Sequence, residues 1–99
     1  MIIIKNNRCF FPDRITFEQI PELYMMSDQL VEENIVLDLS STHYIHSAFI
    51  GFLIFLKNEK EKKSKPFSFI SSEWLESLLI RLQLNNFFNS RVTNERISA

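Results

Sequence analysis

The sequence predicts a single small α/β domain in which a mixed, mostly parallel β-sheet is covered by helices. Two observations carry that prediction. Short runs rich in β-branched and apolar residues, Ile35 to Leu39 and Phe67 to Ile70, are each followed by a serine and then by a longer apolar segment, so strands alternate with helices. A chain of 99 residues can bury one core but not two, so residues 1–99 form one domain. No internal repeat, low-complexity stretch or linker divides it.

At the start of the chain, Ile2 to Lys5 reads as a first strand and Asn6-Asn7 as a turn. Cys9 to Phe11 reads as a second strand, stopped by Pro12-Asp13. Thr16 followed by Gln19 fits a capping box. Ile20, Leu23, Tyr24, Leu30 and Val31 then recur at helical spacing, which predicts one helix from Phe17 to Glu32 with Pro21 tolerated in its first turns.

Ile35 to Leu39 is the strongest strand, nearly all apolar as a buried parallel strand should be. Ser40 to Tyr44 reads as a polar loop. Ser47 stands directly before an apolar run and is expected to cap a helix from Ala48 to Lys63. The lysines at 57, 60, 62, 63 and 65 read as its solvated carboxyl end. After Pro66 come the strand Phe67 to Ile70 and a helix capped by Ser71 or Ser72, with Trp74, Leu75, Leu78, Leu79 and Leu82 on its apolar face. Phe87-Phe88 is expected to lead a last strand, and Thr93 to Ala99 to form a final helical turn.

The segment from Ala48 to Leu56 is apolar all round, and such a helix is buried on more than one side. In so small a domain one side meets the sheet. The expectation is therefore that Phe49, Phe52 and their neighbours partly face another chain beside Ser47, either a protein partner or a second copy.

Several function classes find little support. A net charge of −1 gives no electrostatic case for nucleic acid. The longest apolar run is far short of the ~20 residues of a membrane span. With one cysteine, Cys9, and no secretory leader read in the sequence, the expected location is cytoplasmic. His43 and His46 lack the cysteine or carboxylate partners of a metal site, so no metal or cofactor is expected. Ser47, His46 and Asp38 could be imagined as a triad, but neighbours in sequence seldom align productively and no nucleophile-elbow pattern is present. A small serine hydrolase is thus a distant alternative, and the chain is expected not to be an enzyme.

Asp38-Leu39-Ser40, the stretch His46-Ser47-Ala48-Phe49-Ile50-Gly51, the step Lys65-Pro66 and the leucines from Leu78 to Leu84 occur in an order and spacing that resembles the STAS domain of bacterial anti-sigma factor antagonists. The resemblance covers roughly the last two thirds of the chain. It implies a non-catalytic regulatory domain that acts by partner switching. The partners it implies are a serine kinase of the histidine-kinase ATP fold, usually also the anti-sigma factor, and a PP2C-type phosphatase. It places the phosphorylated serine at Ser47 and the partner surface on His46, Ser47, Ala48, Phe49, Ile50, Gly51 and Phe52, with Asp38 and Ser40 structural. The sequence departs from the family at His46, where the motif has Asp, and at Phe49, where it has the first Gly. A related alternative is a STAS subunit of a lipid-transport assembly, docked on its ATPase without phosphorylation, for which Ser47-Ala48 is also suitable.

Overall fold

A computed structural model describes residues 2–88. The strand β1 (Ile3–Lys5) turns back into β2 (Arg8–Phe10) through Asn6 and Asn7, whose φ angles are 53° and 64°. Two consecutive left-handed residues make the tight turn that suits a two-residue hairpin, and asparagine is among the few side chains that accept that geometry. Lys5 pairs with Arg8 directly across it.

From β2 the chain reaches β4 (Val36–Leu39), which runs parallel to it, and from β4 it reaches β6 (Ser68–Ser71), again parallel. The sheet order is β1-β2-β4-β6, with β1 the antiparallel edge. Both crossovers step in the same direction. Right-handed crossovers that do so lay their helices on one face of the sheet. The domain is thus an α/β fold whose mostly parallel mixed sheet carries its two helical crossovers on one face. Register places Ile4, Cys9, Leu37 and Phe69 in one row of that inner face, and they belong to or pack against a single apolar core.

The helical crossover between β2 and β4 is less regular than its spacing suggested. It consists of a 3-10 turn (Phe17–Gln19), α1 (Ile20–Met25) and α2 (Ser27–Glu32), in place of one helix. The break falls at Met26, with φ −101° and ψ 12°. Next to it the Ser27 hydroxyl donates to the Tyr24 carbonyl at 2.8 Å, the local side-chain competition that makes serine a poor helix-interior residue. The break leaves Ile20, Leu23, Leu30 and Val31 all buried. At the start of the segment, Gln19 Oε1 accepts the Thr16 N–H at 2.8 Å, as a capping box requires.

A second, two-stranded sheet was not apparent in the sequence. β3 (Arg14–Ile15) pairs parallel with β5 (Tyr44–Ile45). It fastens the loop after β4 to the segment after β2. The His43 and Tyr44 N–H groups donate to the Asp13 carbonyl, the His46 N–H donates to the Ile15 carbonyl at 2.8 Å, and the Thr42 hydroxyl donates to the Pro12 carbonyl at 2.8 Å.

The long helix α3 (Ser47–Lys62) follows, and α4 (Glu73–Arg81) follows β6. Ser72 caps α4 by accepting the Leu75 N–H at 3.1 Å, and its hydroxyl donates to the Thr42 carbonyl at 2.6 Å. One side chain therefore starts α4 and holds the loop before α3. Leu75 and Leu79 are buried on α4, whereas Leu82, expected on the same apolar face, lies at the helix end and is exposed. Phe87 and Phe88 do not begin a strand. The Phe88 N–H donates to the Leu84 carbonyl in a turn, and its ring packs on Phe67 and Phe69 with centroids 5.9 Å from each. The final helical turn expected from Thr93 lies outside the described residues.

The lysines that follow Leu56 do more than cover their own helix end. Lys60 is only 2% exposed, and its Nζ donates to the Glu33 carbonyl at 2.9 Å and the Val31 carbonyl at 3.4 Å. Lys65 donates to the Glu32 carbonyl at 2.8 Å, and Lys63 pairs with the Glu32 carboxylate at 2.6 Å. A helix leaves its last carbonyls unpaired, and here those of α2 are satisfied by lysines from the far end of α3. The expected solvated end is in large part a clamp between two helices.

Candidate functional site

The candidate site is the start of α3, and the β3–β5 ribbon and Ser72 hold the loop that delivers it. The helix cap is His46, one residue earlier than expected. His46 is extended at φ −71° and ψ 146°, and its Nδ1 accepts the Ala48 N–H at 3.0 Å. Because that nitrogen accepts, the imidazole contributes a lone pair there, the role that an aspartate oxygen plays at a cap. Its ring lies against Phe17, with centroids 5.2 Å apart and planes inclined by 52°.

Ser47 is consequently the first residue of the helix and not its cap. It is exposed, and its hydroxyl has no hydrogen-bond partner among the described residues. The remaining residues expected to meet a partner separate into two sets. Phe49 and Phe52 are fully buried in this chain's own core. Phe49 packs edge-on to Phe11 at 5.6 Å, and Phe52 packs edge-on to Tyr24 of α1 at 4.9 Å. That corrects the expectation for both. The uniformly apolar start of α3 is covered by α1 and α2 as well as by the sheet, so it does not need another chain at those two positions. Ala48 and Ile50 are half-buried, and Gly51 is exposed.

The surface left at the start of α3 is formed by His46, Ser47, Ile50, Gly51 and the half-buried Ile54. The sequence reading missed Phe17, which is 59% exposed against His46. An exposed phenylalanine inside a capping box was the signal available for it. Gly51 stands in the middle of this exposed strip. A side chain there would meet nothing within 4 Å, so close packing inside the domain does not account for the glycine.

Asp38 and Ser40 shape the end of β4. Asp38 Oδ1 accepts from the Ser40 N–H at 3.0 Å and the Ser40 hydroxyl at 2.6 Å, and Oδ2 accepts from Arg8 at 3.0 Å. Burial raises the carboxyl's pKa, but the two Ser40 hydrogen bonds and the Arg8 guanidinium outweigh it and hold the group below its ordinary value.

The residues imagined as a hydrolytic triad do not act on one another. The carboxylate of Asp38 is engaged by Ser40 and Arg8, and His46 Nδ1 is engaged by the helix. His43 pairs with Asp13 at 2.9 Å on the surface. The described residues contain no group of three His, Cys, Asp or Glu able to hold a metal ion. Burial pushes the Cys9 thiol up to about 12, so it is not a thiolate near neutrality. Among the described residues, no helix is long and apolar enough to cross a membrane.

Compared with known proteins, the chain matches no family model and no curated protein.

Proposed function

We propose that this chain is a non-catalytic regulatory domain of STAS type that works by binding another protein through the start of α3, with Ser47 as its phosphorylation site. In this reading it acts as an anti-sigma factor antagonist or a partner-switching relative. Its partners are a serine kinase of the histidine-kinase ATP fold and a PP2C-type phosphatase.

The observation that carries the reading is the division of labour at the helix start. His46 does the capping, which leaves the Ser47 hydroxyl exposed and unengaged beside the exposed Gly51. A serine needed only as a cap would be hydrogen-bonded to the helix. The replacement of the family's Asp by His46 keeps an acceptor at the cap, so this departure leaves the local backbone intact. Phe49, which stands where the family has its first Gly, turns into the core and does not obstruct the surface.

A phosphate on Ser47 would lie at the positive end of a 16-residue helix and would place about −1.5 to −2 charges beside Ile50, Gly51 and Phe17. An apolar partner surface docked there would then have to desolvate a dianion. That cost releases the partner without refolding the domain.

The test is a tagged pull-down from the native cell with wild type and Ser47→Asp, together with mapping of phosphate on the recovered protein. Recovery of a kinase with wild type and its loss with Ser47→Asp is the expected result. Recovery of a transporter ATPase by both forms, with Ser47 unmodified, would replace phosphorylation-controlled switching with a constitutive dock.

A further inference from the structure

The cap of α3 is a group that a proton can remove. His46 Nδ1 serves the helix only through its lone pair, which accepts the Ala48 N–H at 3.0 Å. When an imidazole takes up a second proton, the proton goes to whichever nitrogen was bare, and both nitrogens are then donors. On His46 the bare nitrogen is the capping one. Protonation therefore sets an N–H donor against the Ala48 N–H donor.

The helix gives the charged ring nothing in return. His46 sits at the positive end of a 16-residue helix with no acidic residue in its first turn, and on α3 no charged residue precedes Lys57. Phe17, whose ring lies against the imidazole, is uncharged. In the β3–β5 ribbon and the segments that lead into it, His43 pairs with Asp13 at 2.9 Å and Arg14 lies over the Tyr44 ring at 4.4 Å. The 3-10 turn supplies the one carboxylate whose charge interacts with the His46 ring, that of the exposed Glu18. Glu18 is held below its ordinary pKa mainly by its own backbone N–H, then by Thr16 and last by His46. The neutral ring is thus favoured at the cap, and the charged ring is favoured beside Glu18.

We propose that His46 is a pH-sensitive latch on α3: neutral, it caps the helix and orders Ser47 and Ala48; protonated, it leaves the Ala48 N–H for Glu18 and the first turn loosens. The sign follows directly. The cap is present at the alkaline end and is lost as pH falls, so the strip of Ser47, Ile50 and Gly51 is presented in helical form only while the ring is neutral. The latch lies at the same helix start as the proposed contact, but its test reads the chain alone, so it stands or falls apart from the reading of Ser47.

The test is an NMR titration of the full chain from pH 8 to pH 5, the span in which imidazoles exchange their proton, following the His46 ring nitrogens and the Ala48 amide. At pH 8 Nδ1 should give the signal of an unprotonated nitrogen. As the ring takes up its proton, the hydrogen-exchange protection of Ala48, corrected for the intrinsic effect of pH on exchange, should fall about fivefold along the same curve. His46→Asp, whose carboxylate stays ionised across this span, should show no such fall. Glu18→Gln should move the response to lower pH, because the charged ring loses its alternative partner. The wild-type titration decides the matter without either variant. A ring that protonates while Ala48 keeps its protection, or that stays neutral down to pH 5, would overturn the latch. So would a proton on Nδ1 at pH 8, an equal loss of protection in His46→Asp, or a Glu18→Gln response at the wild-type pH.

Discussion

His46 Nδ1 accepts the backbone N–H of Ala48 at 3.0 Å, so the residue before Ser47 starts α3. This makes the two neighbours separable by substitution. His46→Ala should lower stability by about 1 kcal/mol, the usual cost of losing a cap, and His46→Asp should recover it because a carboxylate oxygen caps equally well. Ser47→Ala should stay within about 0.5 kcal/mol of wild type. Urea unfolding of the three variants measures this. A larger loss for Ser47→Ala than for His46→Ala would return the cap to Ser47 and remove the main support for a free hydroxyl.

Gly51 is a second place where the domain's own stability does not explain the residue. Nothing lies within 4 Å of an added methyl group, and glycine in a helix interior costs about 0.5–1 kcal/mol relative to alanine. Gly51→Ala should therefore stabilise the free protein and raise its melting temperature by about 3–6 °C. If the strip of Ser47, Ile50 and Gly51 is a contact, the same variant should bind its partner less well. Calorimetry and a binding assay on one sample read the two effects. An unchanged affinity would remove Gly51 from the contact.

The contrast between Gly51 and Phe52 also shows where the sequence was legible. The strands around Leu37 and Phe69 were readable because each is a short, mostly apolar run with an obvious stop. The hairpin at Asn6-Asn7 was readable because few residues accept its turn. Within Ala48 to Leu56 the existence of a helix was clear, but not its orientation. When every residue is apolar, periodicity cannot distinguish the face that meets α1 from the face that meets water. Spacing alone therefore leaves Phe49 and Phe52 free to face either way, and burial against Phe11 and Tyr24 decides it. The Arg14–Ile15 and Tyr44–Ile45 ribbon is too short to have a period at all, and the cap at His46 depends on a ring nitrogen that residue preferences rarely count. The break at Met26 depends on Ser27 bonding to Tyr24, a choice between two local hydrogen bonds that spacing does not express.

Lys60 tests whether the lysine-rich end of α3 is a clamp or a solvated tail. Its ammonium is buried and bonded to the carbonyls of Val31 and Glu33. Lys60→Met keeps the buried stem but removes the lysine donor from both carbonyls, that of Glu33 still accepting the Ile35 N–H, which should cost about 1–3 kcal/mol. The neighbouring exposed Lys62, paired among the described residues with Glu59 on its own helix, should change by less than about 0.5 kcal/mol when replaced by methionine. Chemical denaturation compares the two. Native-state hydrogen exchange should show faster opening in α2 for the Lys60 variant alone. Equal, small effects at both positions would mean that the carbonyl contacts contribute nothing.

Asp38 gives the domain an acid limb whose sign follows from its partners. Burial raises its pKa, but the Ser40 hydroxyl and N–H and the Arg8 guanidinium outweigh burial, and the carboxyl titrates below its ordinary value of 3.8. A carboxylate with a depressed folded-state pKa binds protons more weakly in the folded protein than in the unfolded chain. Its contribution is present in full above the unfolded value and is lost as pH falls through the folded one. Between neutral pH and about pH 5 stability should therefore be insensitive to Asp38 ionisation, and it should fall on acidification below about pH 4. Asp38→Asn removes the charge, weakens the Arg8 contact and keeps one acceptor for Ser40. It should cost about 1–3 kcal/mol at pH 7 and should flatten the dependence below pH 4, so that the two stability curves converge in acid. Unfolding midpoints measured from pH 2.5 to pH 7 on both proteins provide the check. Parallel curves, offset by the same amount at every pH, would mean that Asp38 stabilises the end of β4 through its shape and hydrogen bonds and not through its charge.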